Sequence, residues 1–153
     1  MIKNSLKNFI FKLFEYSIHS AIKNQNLSTL YNRIKIIVPD ISNQYSTFKI
    51  EGSYLETKVR GQHAFQLSLA QKAIAMVNKP VNDTTIVDIG DSSGTHLAYL
   101  NALNGEINAL SVNSDPIAVK KIRDRGFKAV ESRAECLHNH PAFSCDVDIF
   151  LSY

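Results

Sequence analysis

Nowhere in the 153 residues is there a run approaching the roughly 18 uncharged apolar residues of a membrane-spanning helix. The opening MIKNSLKNFIFKLFEY has early lysines, but Lys12 and Glu15 interrupt any signal-peptide core and no small-residue cleavage site follows. That stretch is expected to stay on the protein. Cysteine is scarce. Cys136 and Cys145 are too few for a disulfide-stapled secreted module and suit a reducing cytoplasm. No internal repeat or low-complexity segment occurs. Aromatic residues do not interleave with lysine and arginine, so nucleic acid is not an expected partner. No Ser-His-Asp or Cys-His arrangement for nucleophilic catalysis can be defended.

What is present suits one α/β domain. The chain is 44% apolar, and a chain of this size buries roughly 68–70% of its unfolded surface. Its net charge of +3 hides an asymmetry: residues 1–80 hold 11 basic and 4 acidic side chains, net +7, and residues 81–153 hold 6 and 10, net −4. The basic half reads first as a solvated helix face, and secondarily as an attraction for an anionic substrate or a membrane surface.

The chain is organised around Thr85–His96, TIVDIGDSSGTH. Ile86, Val87 and Ile89 favour a buried strand around Asp88. Gly90 and Gly94 permit φ > 0 and close approach of a ligand. From Thr95 the composition turns helical, through His96, Leu97, Tyr99 and Leu100. A strand, a small-residue loop and a helix start offer unpaired N–H groups and a helix dipole to a polar ligand.

Before this stretch, Ile2, Leu6, Phe9, Ile10, Leu13, Phe14, Ile18, Ala21 and Ile22 recur at three- and four-residue steps. They make one apolar stripe on a helix of about 20 residues. The stripe is expected to pack on the domain or on a second subunit, with a peripheral membrane contact of residues 1–23 as the alternative. Ser28 is a candidate cap for a short helix through Arg33. Ile34–Val38 is β-prone and Pro39 stops it. A mixed loop follows, with a short strand at Phe48–Ile50 and Gly52 as its hinge. A long helix over about Tyr54–Val77 should bury Val59, Phe65, Leu69, Ala70, Ala73, Ile74 and Val77. Gly61 costs this helix roughly 1 kcal/mol against alanine, which close packing or a ligand would explain. Arg60, His63 and Gln66 read as surface or core-edge polar residues that could reach a ligand. His96 either touches a ligand or faces solvent.

Beyond the loop, Asn104-Gly105 closes the helix and Ile107–Asn113 forms a second strand. Asp115 caps the next helix, with Pro116 in its first turn and Gly126 at its end. Phe127–Glu131 and Val147–Leu151 are the third and fourth strands. This alternation predicts right-handed crossovers and a parallel sheet. Cys136, His138, His140 and Cys145 form C-x-H-x-H-x4-C, a spacing that matches no common structural zinc pattern. No metal is expected.

VDIGDSSGT, LSVNSDPIAVKKI, SRAECL and DVDIFLSY, in this order, resemble the motifs of Rossmann-like S-adenosylmethionine-dependent methyltransferases. The resemblance covers residues 84–153, with YLETKVRGQHAFQ similar to the lead-in helix of bacterial members. It implies a parallel sheet in strand order 3-2-1-4, flanked by helices and preceded by a helical segment. It divides the chain into an extension and loop, 1–53, and the cofactor-binding half of a methyltransferase domain, 54–153. Asp88 and Gly90, followed by Asp91 and Ser92, would lie near the amino-acid end of the cofactor, and Gly94 would close the loop. Asn113 and Ser114 would stand at the ribose. Arg133, Ala134 and Glu135 would flank the adenine, and Ser152 and Tyr153 would lie beside the methyl group. No catalytic residue is implied, and the acceptor would be a small molecule or glycan.

The family pattern is not followed everywhere. Ser92 replaces the middle glycine of the loop, which requires a negative φ there. Asn113 replaces an acid, exchanging a charge-assisted contact for an amide one at a cost of order 1 kcal/mol. Arg133 stands where an acid often meets the adenine amino group. The family continues for three more strands, so the chain is expected to be the amino-terminal portion of a longer protein. Two rival expectations remain: an NAD-type Rossmann oxidoreductase or epimerase, and a degenerate nucleotide-binding or scaffold module without activity.

Overall fold

A computed structural model describes residues 2–45, 47–141 and 146–152. Three helices lead: α1 (Ile2–Asn24), α2 (Ser28–Ile37) and α3 (Ser53–Met76). Strand β1 (Thr85–Ile89), helix α4 (Thr95–Asn104), strand β2 (Asn108–Asn113), helix α5 (Pro116–Asp124) and strand β3 (Lys128–Glu131) then alternate. A 3-10 turn over Ala134–Asn139 leads toward β4 (Ile149–Ser152).

All four strands are parallel, in the order β3-β2-β1-β4. The expected 3-2-1-4 sheet with flanking helices and a helical lead-in is the fold observed. Alternation of side chains sorts the sheet into two faces. Ile86, Ile149 and Leu151 share one core with α4 residues Tyr99 and Leu100 and α3 residues Leu67, Ala70 and Ile74. Ala129 packs with Leu97, Val119 and Ile122 of α4 and α5. On the other face, Val87, Val112 and Val130 meet Leu137 and Val147. The crossovers from β1 to β2 and from β2 to β3 therefore lie on one side, and the segment leading to β4 covers the other. The carboxyl end of β1 lies where the strand order reverses, the usual ligand crevice of open α/β sheets.

Local chemistry accounts for the joints. Asp115 Oδ1 accepts from Ile117 N at 2.9 Å with Pro116 at the first turn, the expected cap and the expected use of a residue without an N–H. Asn26, at φ 58°, closes α1: Leu27 N donates to Ile22 O and Asn26 N to Lys23 O, the doubled closure of a left-handed C-terminal residue. Lys79 Nζ donates to Asp148 Oδ1 at 2.6 Å, and Thr85 N donates to Asp148 Oδ2 at 3.0 Å. These bonds register the approach to β4 against the start of β1.

Four expectations are corrected. Ile34–Val38 is not a strand: Ile34 and Ile37 belong to α2, where Tyr31 and Ile34 are buried, and that burial overrides β-propensity. Ser28 does not cap α2; the capping position is Leu27 and carries no side-chain bond. Phe48–Ile50 forms no strand. The buried face of α3 is rotated from the expected one, since Phe65 and Leu69 are both 47% exposed while Arg60, His63, Gln66 and Leu67 are buried. Gly61 has its explanation in packing: a Cβ there would stand 3.2 Å from Ile18 Cγ2 and 3.3 Å from Ile22 Cδ1. The glycine lets α1 and α3 approach.

Candidate functional site

The turn after β1 is built by one carboxylate. Asp91 Oδ1 accepts from Ser93 N at 3.3 Å and Thr95 N at 3.2 Å, and Oδ2 accepts from His96 N at 3.0 Å. Asp91 is 3% exposed. The first N–H groups of α4, expected to be open to a ligand, are therefore spent on an acid of the same loop. That acid also complements the positive end of the helix dipole. Arg125 Nη1 donates to Ser93 O at 2.7 Å. Ser92 Oγ donates to Gln44 O at 3.0 Å, and Ser92 does not have positive φ, so the position is one that serine can hold without strain. Gly90 is at φ +92°, with nothing within 4 Å of where a Cβ would stand. Its N–H donates to Val112 O at 2.9 Å, tying the turn to β2.

Beneath the turn lies a buried polar cluster. Arg60 is fully buried; it donates to Val38 O at 2.8 Å, to Pro39 O at 2.7 Å and to Glu56 Oε1 at 2.8 Å. The two carbonyls belong to the chain leaving the C-terminus of α2, where a cation is favoured. The Gln44 amide nitrogen donates to His63 Nε2 at 2.9 Å, which puts the proton of a neutral ring on Nδ1. Burial, with the charges of His96 and Arg60 behind it, holds the His63 pKa down at about 3. His96 packs edge-on to His63 with ring centroids 5.0 Å apart. Burial lowers the His96 pKa, opposed by the charge of Asp91. Tyr99, 5.6 Å from the His63 ring centroid, is pushed up to about 12 by burial.

Asp88 is fully buried, and neither carboxylate oxygen has a hydrogen-bond partner among the described residues. Burial first, and then the charge of Asp91, raises its pKa well above the usual carboxylate range. His96 Nδ1 stands 3.9 Å from Asp88 Oδ2. Donor atoms of Asp88, Asp91 and His96 all lie within 4.8 Å of one another, with both Asp91 oxygens already accepting from α4. Other buried atoms without a hydrogen-bond partner among the described residues include Gln44 Oε1, Gln66 Oε1, His63 Nδ1 and Ser111 Oγ.

Two cavities meet at Ile89 and Gly90. One, of about 90 Å³, is lined by Gln44, His63, Gln66, Asp91, Ser92 and His96 among others. The second, of about 190 Å³, is lined by Asn113, Ser114, Ser132, Arg133, Ala134 and Glu135 with Val112. Most of the residues singled out from sequence thus gather on one groove across the ends of β1, β2 and β3. Asp88, Gly94 and Ser152 line neither cavity. Gly94 faces Phe127 and Ile122, and Ser152 is exposed beside Ile89. Tyr153 and Cys145 lie outside the described residues. Asn113 is engaged at both ends: Oδ1 accepts from Asp115 N at 2.8 Å and Nδ2 donates to Asp91 O at 3.3 Å. Arg133 pairs with Glu135 at the exposed rim.

Arg60, His63, Gln66 and His96 are buried rather than at the surface. The signal lay in the helical spacing of 60, 63 and 66 ahead of Leu67, Ala70 and Ile74, a polar continuation of an apolar face. Gln44 sits in the mixed loop and carried no signal. No protein-family model, no curated protein and no solved structure matches this chain.

Proposed function

We propose that the chain binds S-adenosylmethionine and serves methyl transfer to a small-molecule or glycan-like acceptor. The observation that carries this reading is the carboxylate of Asp91 on the N-terminus of α4. A dinucleotide needs those N–H groups for its pyrophosphate, and an acid in their place repels one. A cationic cofactor meets no such obstacle. The same observation weighs against the NAD-type reading.

The residues present fit the group. Around the smaller cavity stand Gln44 Oε1 and Gln66 Oε1, both without hydrogen-bond partners among the described residues. They complement an ammonium, and the Nδ1–H of neutral His63 complements a carboxylate. Asp91, in the wall of the same cavity, supplies negative potential nearby. In the larger cavity, Asn113 keeps one acceptor lone pair and one N–H for a hydroxyl, and Ser114, Ala134 and Glu135 line the remaining wall. Gly90, without a Cβ, leaves the junction open for one extended ligand to cross. S-adenosylmethionine supplies an electrophilic methyl group; the chain's part is to fix its orientation so that transfer follows from proximity. No base is assigned.

No described helix is long and apolar enough to cross a membrane. The scarcity of cysteine, two in the sequence, is what supports a cytoplasmic setting. Calorimetric titration of the purified chain tests the reading. S-adenosylmethionine is expected to bind and NAD is not. An absence of heat with S-adenosylmethionine, or displacement of it by NAD, overturns the proposal.

A further inference from the structure

The sequence stripe on α1 divides in the structure. Its C-terminal part, Ile18 and Ile22, packs on α3 beside Gly61. Its N-terminal part does not: Leu6 is 58%, Phe9 59% and Leu13 51% exposed, with Ile10 at 38%. Leu6, Phe9, Ile10 and Leu13 follow the i, i+3, i+4, i+7 pattern of one helix face. Phe11 turns the other way and stacks on Tyr54, centroids 5.1 Å apart. That contact fixes which side of the helix meets the body and which does not.

The charges carried by this half of α1 have one sign, and the carboxylates near it, Glu15 and Glu51, line the cleft between Lys12 and the start of α3. Lys7 borders the exposed face beside Ile10, and Lys12 borders it beside Phe9 and Tyr16, at three- and four-residue spacings on either flank. Lys7 Nζ lies 5.4 Å from the Phe11 ring. No acidic residue occurs before Glu15. Glu15 points to the body, accepting from Ser53 Oγ at 3.0 Å and Thr57 Oγ1 at 3.3 Å. An apolar stripe edged on both sides by lysine is the arrangement of a helix lying in a membrane interface, with its lysine heads raised to the phosphates.

We infer that the N-terminal half of α1 docks this protein on an anionic lipid surface, with Leu6, Phe9, Ile10 and Leu13 entering the acyl boundary and Lys7 and Lys12 meeting the headgroups. A second copy of the chain is the poorer occupant. Pairing two such faces sets lysines against lysines, with no carboxylate on either projecting half to offset them.

Co-sedimentation of the full chain with vesicles tests this, comparing phosphatidylcholine alone with phosphatidylcholine–phosphatidylglycerol mixtures at low and high salt. Binding is expected on the anionic vesicles, and salt is expected to weaken it. Phe9→Glu with Leu13→Glu should abolish it. Lys7→Glu with Lys12→Glu should weaken it by more than the roughly fivefold that loss of a single surface lysine brings. All four positions are exposed, and the far-ultraviolet circular dichroism of each variant should match the parent. Three outcomes overturn the inference: no pelleting with anionic vesicles, equal pelleting with neutral ones, or pelleting untouched by the Phe9/Leu13 pair. A dimer that this pair dissolves, in a chain that ignores vesicles, also overturns it and gives the face to a second copy.

Discussion

Replacing Asp91 by alanine removes the acceptor for three N–H groups at the start of α4. A lost cap of this type costs up to about 2 kcal/mol. Leaving a buried donor such as Ser93 N unpaired adds about 1–2 kcal/mol. The terms are not independent, because Arg125 still holds Ser93 O and Thr95 Oγ1. The expected loss is therefore about 2–4 kcal/mol. With a slope of about 2 kcal/mol per molar urea, the middle of the range for small proteins, the unfolding midpoint falls by roughly 1–2 M. Ser92→Ala, which deletes a single bond to Gln44 O, should cost about 1 kcal/mol or less.

The Asp91 variant also frees the helix N-terminus, which is a ready anion site. Inorganic phosphate should then raise the midpoint of Asp91→Ala through binding to the folded state and leave the parent unmoved. A loss under about 0.5 kcal/mol would refute the capping argument. Phosphate stabilising the parent as much as the variant would refute it too, and would remove the electrostatic case against a dinucleotide.

Other consequences follow from the same cluster. The pKa of Asp88 is raised in the folded state, so its stability contribution is full below the unfolded value near 3.8 and falls as pH climbs toward the folded pKa. Asp88→Asn should flatten that fall, so urea denaturation across pH would find the variant's advantage absent at low pH and growing toward neutrality. Arg60→Met leaves Val38 O and Pro39 O without their donors and should cost about 2–4 kcal/mol by the same assay. Gly90→Ala meets no neighbour but must hold φ +92°, so it should lose only about 1–2 kcal/mol of stability. Its methyl group stands at the junction of the two cavities, and S-adenosylmethionine binding by calorimetry should fall by at least tenfold; unchanged affinity would mean the groove is not the site.

The alternation after Thr85 was legible because each element is marked locally. Ile86, Val87 and Ile89 mark a strand, Asp115-Pro116 marks a helix start, and Gly126 marks a stop. These signals need no knowledge of distant residues. The gathering of Gly90, Asn113, Ser114, Arg133, Ala134 and Glu135 on one groove followed from topology, since parallel strands bring their carboxyl ends to one edge of the sheet. The role of Asp91 did not follow. From sequence, an acid in a glycine-serine loop is one more polar residue; only the folded turn shows its oxygens returned to α4.

The helical half was harder for one physical reason: whether a side chain on a helix is buried depends on what faces it. Arg60, His63 and Gln66 continue an apolar face and read as its polar margin. They are buried because α2 ends against α3, and that end presents two carbonyls to the guanidinium. Burial of the arginine is then a consequence of α2 being a helix, which the β-branched Ile34–Val38 concealed. The two misreadings are one. Had Ile34–Val38 been a strand, its carbonyls would have been committed to a ladder, and a fully buried Arg60 would have kept Glu56 as its partner without the Val38 and Pro39 carbonyls. The same dependence governs α1. Its single stripe of sequence splits between Ile18, Ile22 and the exposed Leu6–Leu13 face, because α3 offers a glycine to the first pair and no surface to the second.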